Sequence, residues 1–230
     1  MIDLQGFGDA LEAGAWLTVQ LAMVSLVFGL ILGLLGALAK TSSVALLRWL
    51  GEAYSTIVRG VPELLWVFLI YFGTVNLVRE TGELFGIENL ELNAFAAGVF
   101  ALSLCFGAYA TEVFRGALLS IPKGQREAGL ALGLSRVRIF WQITLPQVWR
   151  IALPGLGNLF MILMKDTALV SVVGLNEIMR STQLVAQATK QHFTLFIVAA
   201  ALYLAMTVVS MIVLALLEKW VNRGYTRSAV

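Results

Sequence analysis

Charged residues inside otherwise apolar stretches are the clearest chemical signal in this sequence. They form three groups whose members are close along the chain: Arg59 with Glu63, Glu112 with Arg115, and Lys165 with Asp166. In a membrane, an ionisable group near the middle of the bilayer costs at least ~2.5 kcal/mol on insertion scales, so each needs a partner or a function. Such groups either hold helices together or contact a polar molecule inside the bundle.

The first two groups have the spacing of helical ion pairs. Residues three or four apart lie on one face of an α-helix, so we expect Glu112 to contact Arg115 and Arg59 to share a face with Glu63. Each pair is interpreted either as a structural ion pair or as part of a gate. Arg59 has a further alternative, since its long side chain can extend to the membrane surface.

Lys165 and Asp166 are adjacent, so on a helix their side chains point about 100° apart and do not easily share a partner. If the helix near Pro146 continues unbroken, the pair lies about 30 Å along it, near the outer interface, and needs no special role. If the helix breaks, as Thr167 and Ser171 permit, the pair lines a cavity and contacts a polar molecule. Asp166 is then a suitable partner for a cation.

Three other residues are candidates to line the same pathway: Asn158, one or two turns inward from Asp166, together with Glu63 and Tyr109. Residues for a metal or catalytic site are scarce, because the chain has one cysteine, Cys105, and one histidine. No Cys/His cluster, HExxH motif or Ser/His/Asp constellation is found in the sequence. We therefore expect no bound metal, no cofactor and no catalysis by this chain.

Composition predicts the elements that must carry these residues. The 230 residues are 59% hydrophobic and 13% charged, which leaves too little polar surface to cover a water-soluble domain. A net charge of +2 gives no reason to expect nucleic acid as a partner. A spanning helix needs roughly 20 mostly apolar residues, and five stretches qualify: 15–39, 54–78, 92–119, 148–173 and 194–217. We predict an all-α integral membrane protein whose single domain covers residues 1–230 within a lipid bilayer.

The positions of lysine and arginine predict how the five helices are oriented. Nine basic residues fall in the connections after the first and third stretches and in the C-terminal segment, whereas the N-terminal segment and the other two connections hold three. Basic residues are enriched on the cytoplasmic side of membranes. The N-terminus is therefore predicted outside and the C-terminus inside, as an odd number of spans requires.

The cytoplasmic connection over residues 120–147 is patterned like a folded element. Pro122 suits the start of a helix because its missing N–H is unpaired at that position in any case. We predict a short helix over residues 123–132, with Gly133 in the left-handed conformation directly after it. The sharp turn at this glycine leads the chain into a second short element.

That second element is predicted to be a helix over residues 136–142. Ser135 can cap its first turn, and Pro146 marks the start of the next span. Taken alone, the two short helices are either an amphipathic loop whose arginines contact anionic lipid or a docking site for another protein.

The connection resembles the EAA motif of permease subunits of ABC importers. That motif is written EAA, three residues, G, nine residues and IxLP. Its counterparts keep this spacing here: Glu127, Ala128, Gly129, Gly133, Ile143, Leu145 and Pro146. The one departure is Gly129, where the family usually has a second alanine. Both residues are small, so close packing is retained, although glycine lowers helix propensity by about 1 kcal/mol.

Two more segments resemble the subfamily that imports polar amino acids. Residues 59–65, RGVPELL, are similar to its RGxPxL motif. Residues 108–116, AYATEVFRG, with residues 121–124, IPKG, are similar to its third-span signature. Within the subfamily, the chain looks most like the subunits that import basic amino acids of the histidine, arginine and ornithine group.

The resemblance implies a MetI-like fold and a non-catalytic role in the bacterial inner membrane. In this family two membrane subunits form the pathway, two cytoplasmic ATPases drive it, and an extracellular or periplasmic binding protein delivers the substrate. The second membrane subunit is either a paralogue or another copy of this chain. The sequence has no GxxxxGK[ST] loop, so ATP and Mg²⁺ are expected on the ATPases.

The resemblance also implies which residues couple the chain to the ATPases. Residues 123–134 are expected to form a coupling helix seated on an ATPase, with small side chains that let the partner approach closely. The implied coupling residues are Glu127, Ala128, Gly129, Gly133, Leu134, Ile143, Leu145 and Pro146.

An ion-coupled secondary amino acid carrier is the alternative function. Such carriers usually contain internal repeats and paired broken helices, and the sequence shows neither. Uptake that needs no ATP, by this chain alone, would favour the alternative.

Overall fold

Every regular element that the computed structural model describes is helical. It describes residues 8–85 and 93–223, with residues 75–85 described by their backbone alone. In chain order the α-helices are α1 (Gly8–Lys40), α2 (Ala45–Gly60), α3 (Glu63–Phe85), α4 (Ala94–Leu119), α5 (Lys123–Ala131), α6 (Arg136–Ile139), α7 (Leu145–Asp166), α8 (Ile178–Thr189) and α9 (His192–Val221). A π-helical segment, Phe140–Thr144, joins α6 to α7, and a 3₁₀ segment, Thr167–Val173, follows α7.

Four of the helical stretches are long and apolar enough to cross a membrane. They are α1, α4, α9 and the run Arg136–Val173. These four coincide with four of the stretches predicted from composition, and the predicted start of the third stretch at residue 92 lies outside the described residues. The described residues are therefore all-helical in their regular elements and contain four or five candidate membrane spans.

The remaining predicted span, residues 54–78, is corrected, because these residues do not form one helix. α2 and α3 meet at an angle of 105° and count as one span only as a bent pair. Pro62 explains the break, since proline has no backbone N–H and forces the preceding residue out of the helical region. Val61 accordingly has extended backbone angles, φ −109° and ψ 137°. Arg59 and Glu63 therefore do not share a helix face, contrary to the prediction from their spacing.

The predicted second short helix of the connection is also corrected. α6, the π-helical segment and α7 follow one another without a break, so residues 136–142 are not a separate element. Pro146 lies in the first turn of α7, and it does not interrupt the helical chain. At the far end, α7 tightens into the 3₁₀ segment at Thr167, and the helical run ends at Gly174, whose φ is +91°.

α1 and α4 form the centre of the fold. Gly29, Gly33 and Gly36 lie on one face of α1, directly against side chains of α4. A Cβ atom at any of the three would overlap α4, so these glycines allow the close approach that small residues give to membrane helices. The buried side chains of Leu102 and Phe114 extend this core along α4.

α8 lies in the segment that the sequence predicts as an outer loop. A buried carboxylate links the start of this helix to its neighbours by hydrogen bonds. Glu177 is fully buried. Its Oε1 accepts a hydrogen bond from the N–H of Arg180, and its Oε2 accepts one from the Tyr203 hydroxyl of α9, both at 2.9 Å. The hydroxyl of Thr18 on α1 accepts from the N–H of Ile178 at 3.2 Å. These bonds hold the start of α8 against both α1 and α9.

Candidate functional site

Glu63, Tyr109 and Asp166 come together at a small pocket between α3, α4 and α7. The break at Pro62 makes Glu63 the first residue of α3, and Asp166 is the last residue of α7. The rest of the lining is apolar apart from one thiol: Leu102, Cys105, Phe106, Leu159, Ile162 and Leu163. The two carboxyl groups lie against each other in these surroundings. A cation entering the pocket would compensate charge that is costly to bury alone.

An open cleft of about 520 Å³ adjoins this pocket and shares Glu63 and Tyr109 with it. Arg59 and residues 60–62 line the cleft at the break between α2 and α3. The guanidinium carbon of Arg59 lies 6.0 Å from the centre of the Tyr109 ring, within the range of a cation–π contact. The volume of the cleft falls within the range of small-molecule sites.

Glu112, one turn along α4 from Tyr109, is the centre of an ion cluster. The Nε of Arg115 donates to Glu112 Oε2 at 2.9 Å, so the ion pair predicted from the spacing is present. The Nζ of Lys40 contacts Oε1, and Nη1 of Arg59 lies 3.9 Å from the same oxygen. The cluster joins the adjacent ends of α1, α2 and α4.

Lys40 is the residue of this cluster that the sequence reasoning missed. Its side chain is 6% exposed, and its Nζ also contacts Glu52 at 2.8 Å and donates to the Ser55 hydroxyl at 2.9 Å. In the sequence, Lys40 counts only as a basic residue of a cytoplasmic connection. The signal that could have identified it is Glu112, a carboxylate in an apolar helix that needs more than one cation nearby.

The structure places the other pathway candidates away from the pocket and the cleft. Thr167 and Ser171 are buried, and the Thr167 hydroxyl donates to the carbonyl of Met164 at 2.8 Å. Lys165 and Asn158 are exposed and line neither cavity. Within residues 8–85 and 93–223, no three His, Cys, Asp or Glu side chains come together as a metal site would require.

The short helix predicted after the third span is present as α5. Gly133 follows it with φ +75°, the left-handed conformation that the sequence predicts. The N–H of Gly133 donates to Leu130 O at 2.9 Å, and the N–H of Leu134 donates to Gly129 O at 3.0 Å. This pair of bonds is a Schellman motif, which satisfies carbonyls at the helix end and turns the chain sharply.

Gly129 packs against its own chain. It is buried, and a Cβ atom there would lie 2.9 Å from Cγ1 of Ile139 and 3.3 Å from Cδ1 of Ile143. The small size of this residue therefore lets α5 lie on α6 and the π-helical segment. Through this contact α5 is attached to the helical run that continues into α7. The close approach of a partner to α5 stays a prediction.

The surface of the same connection carries large apolar side chains that are exposed. Leu132 is 79% exposed, Val137 69% and Trp141 62%. The remaining coupling candidates divide by burial: Glu127, Ala128 and Pro146 are exposed, and Leu134, Ile143 and Leu145 are partly buried. Apolar surface on this scale marks contact with another protein or with lipid.

Known proteins are similar to this chain over most of its length. The family model described as "Binding-protein-dependent transport system inner membrane component" matches residues 20–223. The nopaline transport system permease protein NocQ of Agrobacterium fabrum is 47% identical over 221 residues, covering 95% of this chain and 94% of that protein. The histidine/lysine/arginine/ornithine transport system permease protein HisQ of Escherichia coli is 39% identical over 225 residues, covering 98% and 99%. A solved amino acid ABC transporter, crystallised with histidines, superposes with a TM-score of 0.79 at 30% identity, covering 95% of this chain and 97% of that chain.

Proposed function

The chain belongs to the family of binding-protein-dependent transport system inner membrane components, and we propose that it is the permease subunit of an ATP-driven importer of basic amino acids. The relatives support the amino acid class because they cover nearly the whole chain, and the HisQ relative is named for histidine, lysine, arginine and ornithine. Amino acids of this group are the proposed cargo here.

The acidic pocket is the observation that carries the choice of basic cargo. Glu63 and Asp166 lie against each other at a pocket with an otherwise apolar lining, next to an open cleft. A guanidinium or ammonium group donates charge-assisted hydrogen bonds to carboxylates and offsets their desolvation. A neutral side chain offers no such compensation. We assign the cationic end of the substrate to these two residues, with Tyr109 as a neighbouring contact.

The proposed coupling element is α5 together with the turn at Gly133. Its exposed apolar neighbours, Leu132, Val137 and Trp141, form a surface suited to a groove on an ATPase. The contact of Gly129 with Ile139 joins α5 to the helix that ends at Asp166. A displacement of α5 would therefore be transmitted along α7 toward the acidic pocket.

The proposed assembly follows from the family. Two membrane subunits, the second a paralogue or another copy of this chain, enclose the pathway in the bacterial inner membrane. Two cytoplasmic ATPases bind ATP and Mg²⁺, and a binding protein outside the cytoplasmic membrane delivers the substrate. The proposed topology has five spans, counting α2 and α3 as one bent span, with the N-terminus outside and α5 inside.

Asp166→Asn tests the substrate assignment in the purified complex, reconstituted with its ATPases and binding protein. We expect uptake of labelled arginine to fall about tenfold or more, because loss of one charge-assisted contact costs at least 1.4 kcal/mol. Uptake of labelled glutamine is expected to stay within about twofold, because its side chain carries no positive charge and so makes no such contact. Glu63→Gln is expected to act in the same direction.

Asp9→Asn is the matched control, since it removes a carboxylate from an exposed position at the start of α1. Asp9→Asn should leave the uptake rates of arginine and of glutamine at the parent level. An equal loss of arginine and glutamine uptake in Asp166→Asn would make Asp166 a structural residue and remove the basis for basic cargo.

A further inference from the structure

Arg59 lines the open cleft next to the acidic pocket and lies close to Glu112, near the end of α4 that precedes α5. Along α4, the pocket lining runs from Leu102 to Tyr109, and Glu112 follows one turn closer to the end of the helix at Leu119. Arg59 contacts both the Tyr109 ring and Glu112. The positive charge of Arg59 therefore lies between the two carboxyl groups of the pocket and the end of α4 that precedes α5.

The guanidinium of Arg59 is only loosely held by the ion cluster. Glu112 already contacts Lys40 and accepts from Arg115 at 2.9 Å, whereas its distance to Arg59 is 3.9 Å. The Arg59 side chain is 37% exposed, and the residue lines the open cleft together with Glu63. A large part of its positive charge is thus presented to the cleft.

We propose that Arg59 is a charge barrier that keeps cationic cargo at the acidic pocket until the complex changes conformation. This inference rests on the proposed function, because it concerns how the same pathway handles basic amino acids. The carboxyl groups attract a cation into the pocket, and Arg59 repels it from the next stretch of the path. Like charges repel, and the repulsion is several times stronger near a protein surface than in bulk water. Tyr109 and Glu112 lie beside the Arg59 guanidinium, and Lys40 joins Glu112 to α1.

The barrier is tested by passive efflux from proteoliposomes that contain the complete complex and no ATP. The vesicles are loaded with labelled arginine, and its loss is followed in time. We expect Arg59→Gln to raise efflux at least about tenfold, the effect of removing like-charge repulsion of the order of 1.4 kcal/mol. Arg59→Lys should remain at the parent rate because it keeps the charge.

Arg115→Gln is the matched comparison, because Arg115 also contacts Glu112 but lines neither the pocket nor the cleft. It should not increase efflux. Equal efflux from Arg115→Gln and Arg59→Gln would mean that a weakened ion cluster, not a missing barrier charge, causes the leak. An Arg59→Gln complex that retains arginine like the parent would also overturn the proposal.

A second measurement tests the effect of a positive charge at position 59 on arginine efflux and does not depend on how well the Arg59→Gln complex assembles. The Arg59→Cys complex is treated with a positively charged or a neutral methanethiosulfonate reagent. The parent complex, treated in the same way, controls for reaction at the buried Cys105. Only the positive adduct should suppress efflux, and equal suppression by both reagents would contradict a charge barrier. ATP-driven uptake by the parent is measured on the same vesicles, so a failure of the proposed function is recognised independently of these leak rates.

Discussion

At the scale of single residues, the charged side chains of the bundle occupy two kinds of surroundings. Glu112 has Lys40, Arg59 and Arg115 within 4 Å of its carboxylate, an arrangement that ties helices together. Glu63 and Asp166 instead lie against each other at an apolar pocket beside an open cleft. The first arrangement compensates its own charge, and the second gains from a cation supplied from outside the chain.

Lys40→Met tests the structural role of the ion cluster. The substitution removes the most buried of the three cations at Glu112, and we expect it to lower the free energy of unfolding by about 2–3 kcal/mol, since the buried contacts of the Lys40 ammonium are lost. Denaturant titration of the protein in detergent measures this change.

Glu52→Gln provides the matched control within the same cluster. The Glu52 carboxylate also contacts Lys40 but its side chain is 65% exposed, so its loss should cost less than about 1 kcal/mol. Equal destabilisation by the two substitutions would contradict a buried structural role for Lys40.

The sequence could predict only part of these contacts. The pair Glu112 and Arg115 follows from a spacing of three along one helix. The contact of Lys40 with Glu112 depends on how closely α1 and α4 pack, which the glycine face of α1 determines. No periodicity along one segment reports such a contact between two helices.

At the scale of elements, α5 and its turn are the part of the fold best predicted from sequence. Proline at the start of α5, glycine after its end and the serine cap of the following α6 are local signals, and each acts within one turn of helix. The angle between α2 and α3, by contrast, does not follow from local signals in the sequence. Pro62 predicts an interruption, but the angle of 105° is set by what the two helices pack against. α8 is short and amphipathic, so its sequence contains no long apolar run that would predict it.

Gly133→Ala tests the turn after α5. The residue has open space around it but a φ of +75°, so a side chain there costs about 1–2 kcal/mol through backbone strain alone. We expect the α5 turn to distort and substrate-stimulated ATPase activity of the complex to fall several-fold.

Gly124→Ala makes the same change inside α5, where the space is equally open and φ is not positive. It should leave ATPase activity unchanged and favour the helix by up to about 1 kcal/mol. If both substitutions left the stimulated activity at the parent level, α5 and its turn would not be the coupling element.

At the scale of the whole molecule, import requires that each end of the bundle faces the correct side of the membrane. The excess of basic residues in the connections after α1 and α4 predicts that α5 is cytoplasmic. The acidic pocket then lies on the outer side of Arg59, where cargo delivered from outside reaches the carboxyl groups first.

Cysteine labelling in right-side-out vesicles tests this orientation. Cys105 is buried and is the only cysteine of the chain, so the parent provides a low background. Asp9→Cys should react with a membrane-impermeant maleimide in intact vesicles, and Ser43→Cys should react only after permeabilisation. The reverse pattern would place α5 outside and exclude contact with cytoplasmic ATPases.

The most direct test of the central claim is arginine uptake by the reconstituted complex. The vesicles contain this chain with its second membrane subunit and its ATPases, with binding protein added outside. We expect arginine to accumulate only when ATP is present on the ATPase side and binding protein is present on the other. Accumulation by this chain alone on an ion gradient, without ATP, would contradict the account and identify a secondary carrier.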